Sequence, residues 1–262
     1  MNPARVRWLT RWFLALTVVA LAANAYAEDV HVMVSGAFTA PYTILVGDWE
    51  KATGNRVLTV YGASMGATPT AIPNRLARGE AADVVILARS ALDALVKQRR
   101  VIDGSEVDLV RSRSGMAVKA GAPVPDISTE ARLRKVLLDA TSIAYSDSAS
   151  GVYISTEMFK ALGIADQVLG KSKKIEGTPV GETVARGDAE IGFQQMSELQ
   201  PVKGITIVGP IPEPEQRITV FSAGLVATSH AQAVARQFVA YLASMQAWQT
   251  IRESGLEPIV PR

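Results

Sequence analysis

The residues best suited to chemistry are small, polar and set at four junctions. They read Ser35-Gly36, Gly62-Ala63-Ser64, Asp147 to Gly151, and Thr178-Pro179-Val180-Gly181. Each follows a strand-like run and leads into a helix-like one. A helix start holds anions well, because its first turn has unpaired N–H groups and its dipole favours negative charge. Serine and threonine hydroxyls add donors, and glycine lets the backbone come close to a ligand. Any one junction is explained by ordinary capping and turn formation. Four together are better explained by a single anion-binding cleft. In the third junction, AYSDSASGVY at 144–153, the expected donors are Ser148, Ser150 and the N–H groups of Gly151 and Val152.

The elements that must position these junctions can be read from hydrophobic spacing. A strand is predicted over 30–34, then a helix from about 39 to 53 with Ile44, Leu45, Trp49 and Ala52 on one face. Further strands are predicted at 57–61, at 83–88 (apolar on both faces), and at 115–119, with helices between them. A second series then begins: helix 129–138, strand 142–145, helix 152–162, strand 173–176, a helix from 179, and strands at 190–194, 205–208 and 217–225. Two helices close the chain, followed by an irregular tail. Such alternation implies βαβ units and an α/β fold with parallel sheets and helices on both faces. The series pauses near 111–114 and 221–222. Two lobes are therefore expected, with the chain crossing twice between them: 28–112 plus 222–262, and 113–221. In open α/β sheets, ligands sit beyond the carboxyl ends of strands, which places all four junctions in a cleft between the lobes.

Composition narrows the chemistry. The 262 residues contain no cysteine and only two histidines, His31 and His230. Thiolate catalysis, disulfides and cysteine-ligated zinc are excluded, and a histidine-rich metal site is hard to build. Residues 1–27 read as a secretory signal peptide: Arg5, Arg7 and Arg11, an apolar run over 12–23, and the small-x-small site Ala25-Tyr26-Ala27. Export to the periplasm is expected, with no membrane anchor left after cleavage. Three of the 27 basic residues and none of the 25 acidic ones lie in that segment. The remainder carries 24 basic against 25 acidic side chains, so nothing supports nucleic-acid binding.

At this point the chain resembles a known family. GNRVLTVYGAS and RLARGEAADVVI are similar to the first lobe of periplasmic molybdate-binding proteins, which have the two-lobed type II solute-binding fold. The likeness continues through GVYISTEMFKALGI, TPVGETVARGDAEIGF and VAYLASMQAWQTIRESGLEP. It implies an oxyanion held by Ser35, Ser64 and the helix starts near Gly151-Val152 and Val180. The chain departs where relatives have a tyrosine: it reads Gly192-Phe193-Gln194-Gln195-Met196-Ser197-Glu198, with Gln195 in the tyrosine's place. Arg89 is a second departure, since small residues are usual there. Arginine can clamp a carboxylate in a fork, so both departures point to a larger, carboxylate-bearing ligand. The expected ligand set is Ser35, Ser64, Met65, Arg89, Ser148, Ser150, Gly151, Val152, Val180, Gln194 and Gln195.

The Gly-Phe-Gln-Gln-x-Ser-Glu variant is similar to a subgroup associated with aconitate isomerase activity. That activity exchanges trans- and cis-aconitate by an allylic 1,3-proton shift and implies no metal or organic cofactor. It needs groups to hold carboxylates, a base and an acid. His31 precedes the first strand and His230 lies near the C-terminal helix, so neither is well placed. Tyr145, Asp147 and Glu198 are the candidates, with turn-capping as the alternative role for Asp147. The rival reading is the solute-binding component of an ABC transporter for molybdate, tungstate or another small anion, which would deliver it to a permease.

Overall fold

The computed structural model describes residues 27–260. All but the last residue of the expected signal peptide thus lies outside the described residues. The first lobe opens with β1 (Asp29–Val34), α1 (Gly36–Thr53), β2 (Arg56–Tyr61), α2 (Ile72–Ala77), β3 (Val84–Ala88), α3 (Arg89–Lys97) and β4 (Val107–Ser112). The chain then crosses into β5 (Ser114–Lys119), α4 (Glu130–Asp139), β6 (Ile143–Ser146) and α5 (Ala149–Tyr153). A π-turn over Ile154–Met158 leads to α6 (Phe159–Ala161) and α7 (Ala165–Val168). Next come β7 (Ser172–Ile175), α8 (Val180–Arg186), β8 (Ile191–Gln195), α9 (Met196–Leu199) and β9 (Ile205–Pro210). The chain returns through β10 (Thr219–Leu225), α10 (Gln232–Leu242), α11 (Trp248–Glu253) and β11 (Glu257–Pro258).

These strands form a six-stranded sheet, ordered β11-β4-β10-β3-β1-β2, and a five-stranded sheet, ordered β7-β6-β8-β5-β9. The two-lobed α/β expectation holds, but both sheets are mixed. β1 runs parallel to β2 and β3, and β6 runs parallel to β7 and β8. β10, β4, β5 and β9 pair antiparallel, because they carry the chain into and out of the crossovers. A strand entering straight from the other lobe has no crossover helix to bring it round in parallel.

Burial follows the side-chain alternation of each strand. Val84, Ile86 and Ala88 of β3 pack with α1 and α10, including Phe38, Tyr42 and Phe238. Val85 and Leu87 point the other way, onto Leu92 and Leu95 of α3. That two-sided burial explains the unbroken apolar run. The second sheet buries Met116, Val118, Ile143, Ile191 and Phe193 against Leu133, Leu137 and Phe159.

Helix α1 differs from expectation in two ways that matter for the cleft. It starts at Gly36, directly after β1, so its N-terminus faces the cleft. Its buried stripe is Phe38, Tyr42, Leu45 and Trp49, while Ile44 is 57% exposed. Pro41 lies inside this helix. Proline has no N–H to give the Ala37 carbonyl four residues back, and that carbonyl is left open for another donor.

Candidate functional site

The cleft between the sheets holds a cavity of about 330 Å³. One wall comes from the first lobe: Gly36, Thr39, Tyr61, Gly62, Ala63 and Thr70. The other comes from the second: Ser146, Asp147, Ser148, Thr178, Gln194 and Glu198. A recess of about 10 Å³ adjoins it, lined by Ser35, Ser148, Ser150, Gln195 and Glu198. All these groups stand at strand carboxyl ends or helix starts, as the fold rule requires.

Ser35 ends β1 and precedes α1. Its backbone N–H donates to Ile86 O at 2.8 Å, which fixes the junction to β3. The side chain is 1% exposed and its hydroxyl has no partner, nor does it cap α1. Asp147 follows β6, and its backbone N–H donates to Ile175 O. Its Oδ2 is likewise buried without a partner. A buried polar atom left unpaired costs about 1–3 kcal/mol, so two at one cleft point to a ligand that completes them. Burial also pushes the Asp147 carboxyl above its ordinary value, with the Glu176 charge adding to the effect.

Glu198 is the central group. It rises from α9 until its Oε1 lies over Gly36, so close that a Cβ on residue 36 would stand 2.0 Å from it. One face of the carboxyl opens on the cavity; the rest is enclosed by protein. Desolvation pushes its pKa to about 7, opposed by hydrogen bonds from Gln194 and the Gln195 backbone and assisted by Asp147. Gln194 Nε2 donates to Glu198 Oε1 at 3.0 Å, and Gln194 Oε1 accepts the Val180 N–H at 2.8 Å. Neighbouring Ser197 donates its hydroxyl to Ala37 O at 2.8 Å, the carbonyl that Pro41 leaves open. The lobes also meet where the Ser64 N–H donates to Ser148 Oγ at 3.2 Å.

Of the residues expected from sequence, the structure brings Ser35, Asp147, Ser148, Ser150, Gln194, Gln195 and Glu198 together. Others have different work. The Ser64 hydroxyl accepts the Ala88 N–H at 2.9 Å, pinning its loop to β3. Met65 packs on the first-lobe core and Tyr145 on the second-lobe core. Gly151 is a packing requirement, since a Cβ there would meet Ser146 O at 1.6 Å. The Val152 N–H is spent on Ser148 O and that of Val180 on Gln194. Arg89 is turned away from the cavity: its Nε donates to Asp93 and its Nη1 to Asp108, each at 2.7 Å. A guanidinium bridging two carboxylates has no free fork for a ligand. Thr39, Tyr61 and Thr70 went unnoticed in the sequence. Only Thr39 carried a signal, one helical turn after Ser35.

The two histidines line a separate hollow of about 840 Å³ at the amino ends of β1 and β3. Although larger, it has its buried acid satisfied: Asp83 accepts from the His31 N–H and the Ser229 hydroxyl. Ser35 Oγ and Asp147 Oδ2, both buried and unpaired, line the cleft and its recess, whereas no unpaired buried group lines the hollow among the described residues, so the cleft is the better candidate.

A family model described as bacterial extracellular solute-binding protein matches residues 30–257. The chain belongs to that family. Among curated relatives it is 44% identical over 246 residues to an aconitate isomerase from Pseudomonas sp, with 94% of each chain covered. It is 26% identical over 257 residues to the molybdate-binding protein ModA of Azotobacter vinelandii, covering 94% of this chain and 97% of that one. The solved periplasmic molybdate-binding protein of Azotobacter vinelandii superposes with a TM-score of 0.70 at 21% identity, covering 89% of this chain and all of that one. The last likeness fixes the fold of this family member as the two-lobed binding-protein type. Among the described residues no helix is long and apolar enough to cross a membrane.

Proposed function

We propose that this protein is an isomerase that interconverts trans- and cis-aconitate by an allylic 1,3-proton shift. The observation that carries the reading is the 44% identity to an aconitate isomerase across 94% of both chains. The cleft suits the chemistry. A cavity of about 330 Å³ falls at the lower end of the roughly 300–1,000 Å³ common for small-molecule sites. The Ser35 and Ser148 hydroxyls receive substrate carboxylates. Asp147 lines the same cleft beside Ser148, its carboxyl raised above its ordinary value by burial.

Glu198 carries the proton. As the carboxylate it takes one hydrogen of the substrate CH₂. The C–H electron pair becomes part of the new double bond, the old double bond opens toward its far carbon, and charge spreads onto a carboxylate. Glu198 then returns the proton to that far carbon. One C–H bond breaks, one forms, and nothing is oxidised or reduced. A carboxyl with a pKa of about 7 can both accept and return a proton near neutrality.

Aconitates absorb in the ultraviolet, so purified protein with trans-aconitate should give a time-dependent spectral change. No change at high enzyme concentration removes the reading. The carrier alternative draws on the molybdate-binding relative at 26% identity; tight molybdate binding by calorimetry and a permease partner would favour it. Export to the periplasm belongs to the same proposal, supported by Arg5, Arg7, Arg11 and Ala25-Tyr26-Ala27. It predicts a secreted form beginning at Glu28, readable by N-terminal sequencing. The lobe limits, 28–112 plus 222–262 and 113–221, are also proposed, supported by which strands share each sheet.

A further inference from the structure

We propose that Gln195 is a positioning residue that ties the lobe-to-lobe crossovers to the Glu198 carboxyl. The proposal rests on Glu198 being the proton carrier in the reading above. Gln195 ends β8 and is the residue before α9, the short helix that bears Glu198. Its side chain is 2% exposed. Its Oε1 accepts the Ser112 hydroxyl at 2.7 Å, and its Nε2 donates to Thr219 Oγ1 at 3.2 Å. Ser112 is the last residue of β4 and Thr219 the first of β10. One amide thus fastens the outgoing and returning crossovers to the end of β8.

The same residue is the N-cap of α9, three positions before Glu198, and lines the recess beside that carboxyl. Its neighbour Gln194 donates to Glu198 Oε1 at 3.0 Å. Glu198 is therefore held by one residue of the β8 end and carried by a helix that starts at the other, and that other is anchored to both crossovers. A second buried glutamine strengthens the fastening: Gln216 Oε1 accepts the Ser114 N–H at 3.0 Å, while its Nε2 donates to Ser114 O and Ile211 O. With the crossovers clasped in this way, relative movement of the lobes is transmitted through Gln195 to Glu198. The amide suits the task because it offers an acceptor and a donor at fixed spacing. An apolar side chain of similar length would leave the Thr219 and Ser112 hydroxyls without these partners.

The test is Gln195→Met in the full-length protein, assayed by conversion of trans-aconitate across pH. A small displacement of the proton carrier should lower kcat by about 10- to 100-fold while KM changes by less than about threefold. The midpoint of kcat/KM against pH should rise above that of the wild type, because a displaced Glu198 loses the Gln194 donor that favours its carboxylate. A folded variant with unchanged kcat, or with lowered kcat and an unmoved midpoint, overturns the proposal and leaves the isomerase reading standing. Wild-type protein that does not convert trans-aconitate overturns both. If Gln195→Met does not fold, Ser112→Ala and Thr219→Val each remove one bond of the clasp. Each should then move kcat and midpoint in the same direction, and unmoved values in both overturn the proposal.

Discussion

The Ser197 hydroxyl donates across the cleft to the Ala37 carbonyl at 2.8 Å, and that carbonyl is open because residue 41 is proline. Each half of this pair comes from a different lobe. The bond joins the two lobes beside Glu198. Ser197→Ala should weaken closure by about 0.5–1.5 kcal/mol, the usual net worth of a neutral hydrogen bond. The expected result is a several-fold rise in KM for trans-aconitate with little change in melting temperature. An unchanged KM would mean that this bond does not contribute to closure.

Glu198 makes stability depend on pH in a defined direction. Its folded pKa, about 7, lies above its ordinary 4.5. Between these values the folded chain binds more protons than the unfolded one, so stability falls as pH rises through that window. Above it the full penalty of a buried charge persists. Glu198→Gln removes the titration, and its unfolding free energy should vary less with pH over the same range. Denaturant melts at several pH values measure this; equal slopes for both proteins would count against a buried, raised carboxyl.

Gly36 is open backbone only because Glu198 occupies the space above it. Gly36→Ala would set a Cβ 2.0 Å from Glu198 Oε1, and the side-chain end can swing away. Stability should change little, since Gly to Ala also restricts the unfolded chain. Turnover should fall by about 10- to 100-fold, as expected for a misplaced catalytic group. Kinetics and thermal melting of one variant test both halves of the statement.

Much of the fold was legible because it follows from periodicity. β3 announced itself by an apolar run buried on both faces, and β1, β5, β6 and β8 lie close to their predicted positions. β4 was not legible. Asp108 and Arg111 break its apolar pattern, yet Asp108 serves Arg89 and Ser222 within the folded lobe. The tail hid β11, a two-residue strand with no pattern to read. At the site, the junction loops were readable by type and place. What those loops do was less so, because it depends on which donors are already spent. The Val180 N–H looked free until Gln194 reached it, and nothing in the spacing foretold that Gln195 would clasp the crossovers.

Arg89 illustrates the same limit and gives a contrasting prediction. At 38% side-chain exposure it sits between Asp93 and Asp108, and exposed pairs of this kind contribute about 0–1 kcal/mol each. Arg89→Ala should cost about 1 kcal/mol of stability or less. Affinity for aconitate should be unchanged. Ser35→Ala should do the opposite. It removes an unpartnered buried hydroxyl, so the free protein loses nothing, while ligand affinity falls by about 1 kcal/mol. Calorimetric titration of both variants, beside thermal melts, separates the two roles.

In the proposed reaction this cleft moves a proton on aconitate through Glu198. The most direct measurement follows trans-aconitate by proton NMR with wild-type protein and with Glu198→Gln, at equal concentration near pH 7. Wild-type protein should form cis-aconitate. Glu198→Gln should still bind substrate but convert it about 10²- to 10⁴-fold more slowly, the usual range for losing a general acid–base group. No cis-aconitate from wild-type protein, or equal rates from the two proteins, would contradict the account.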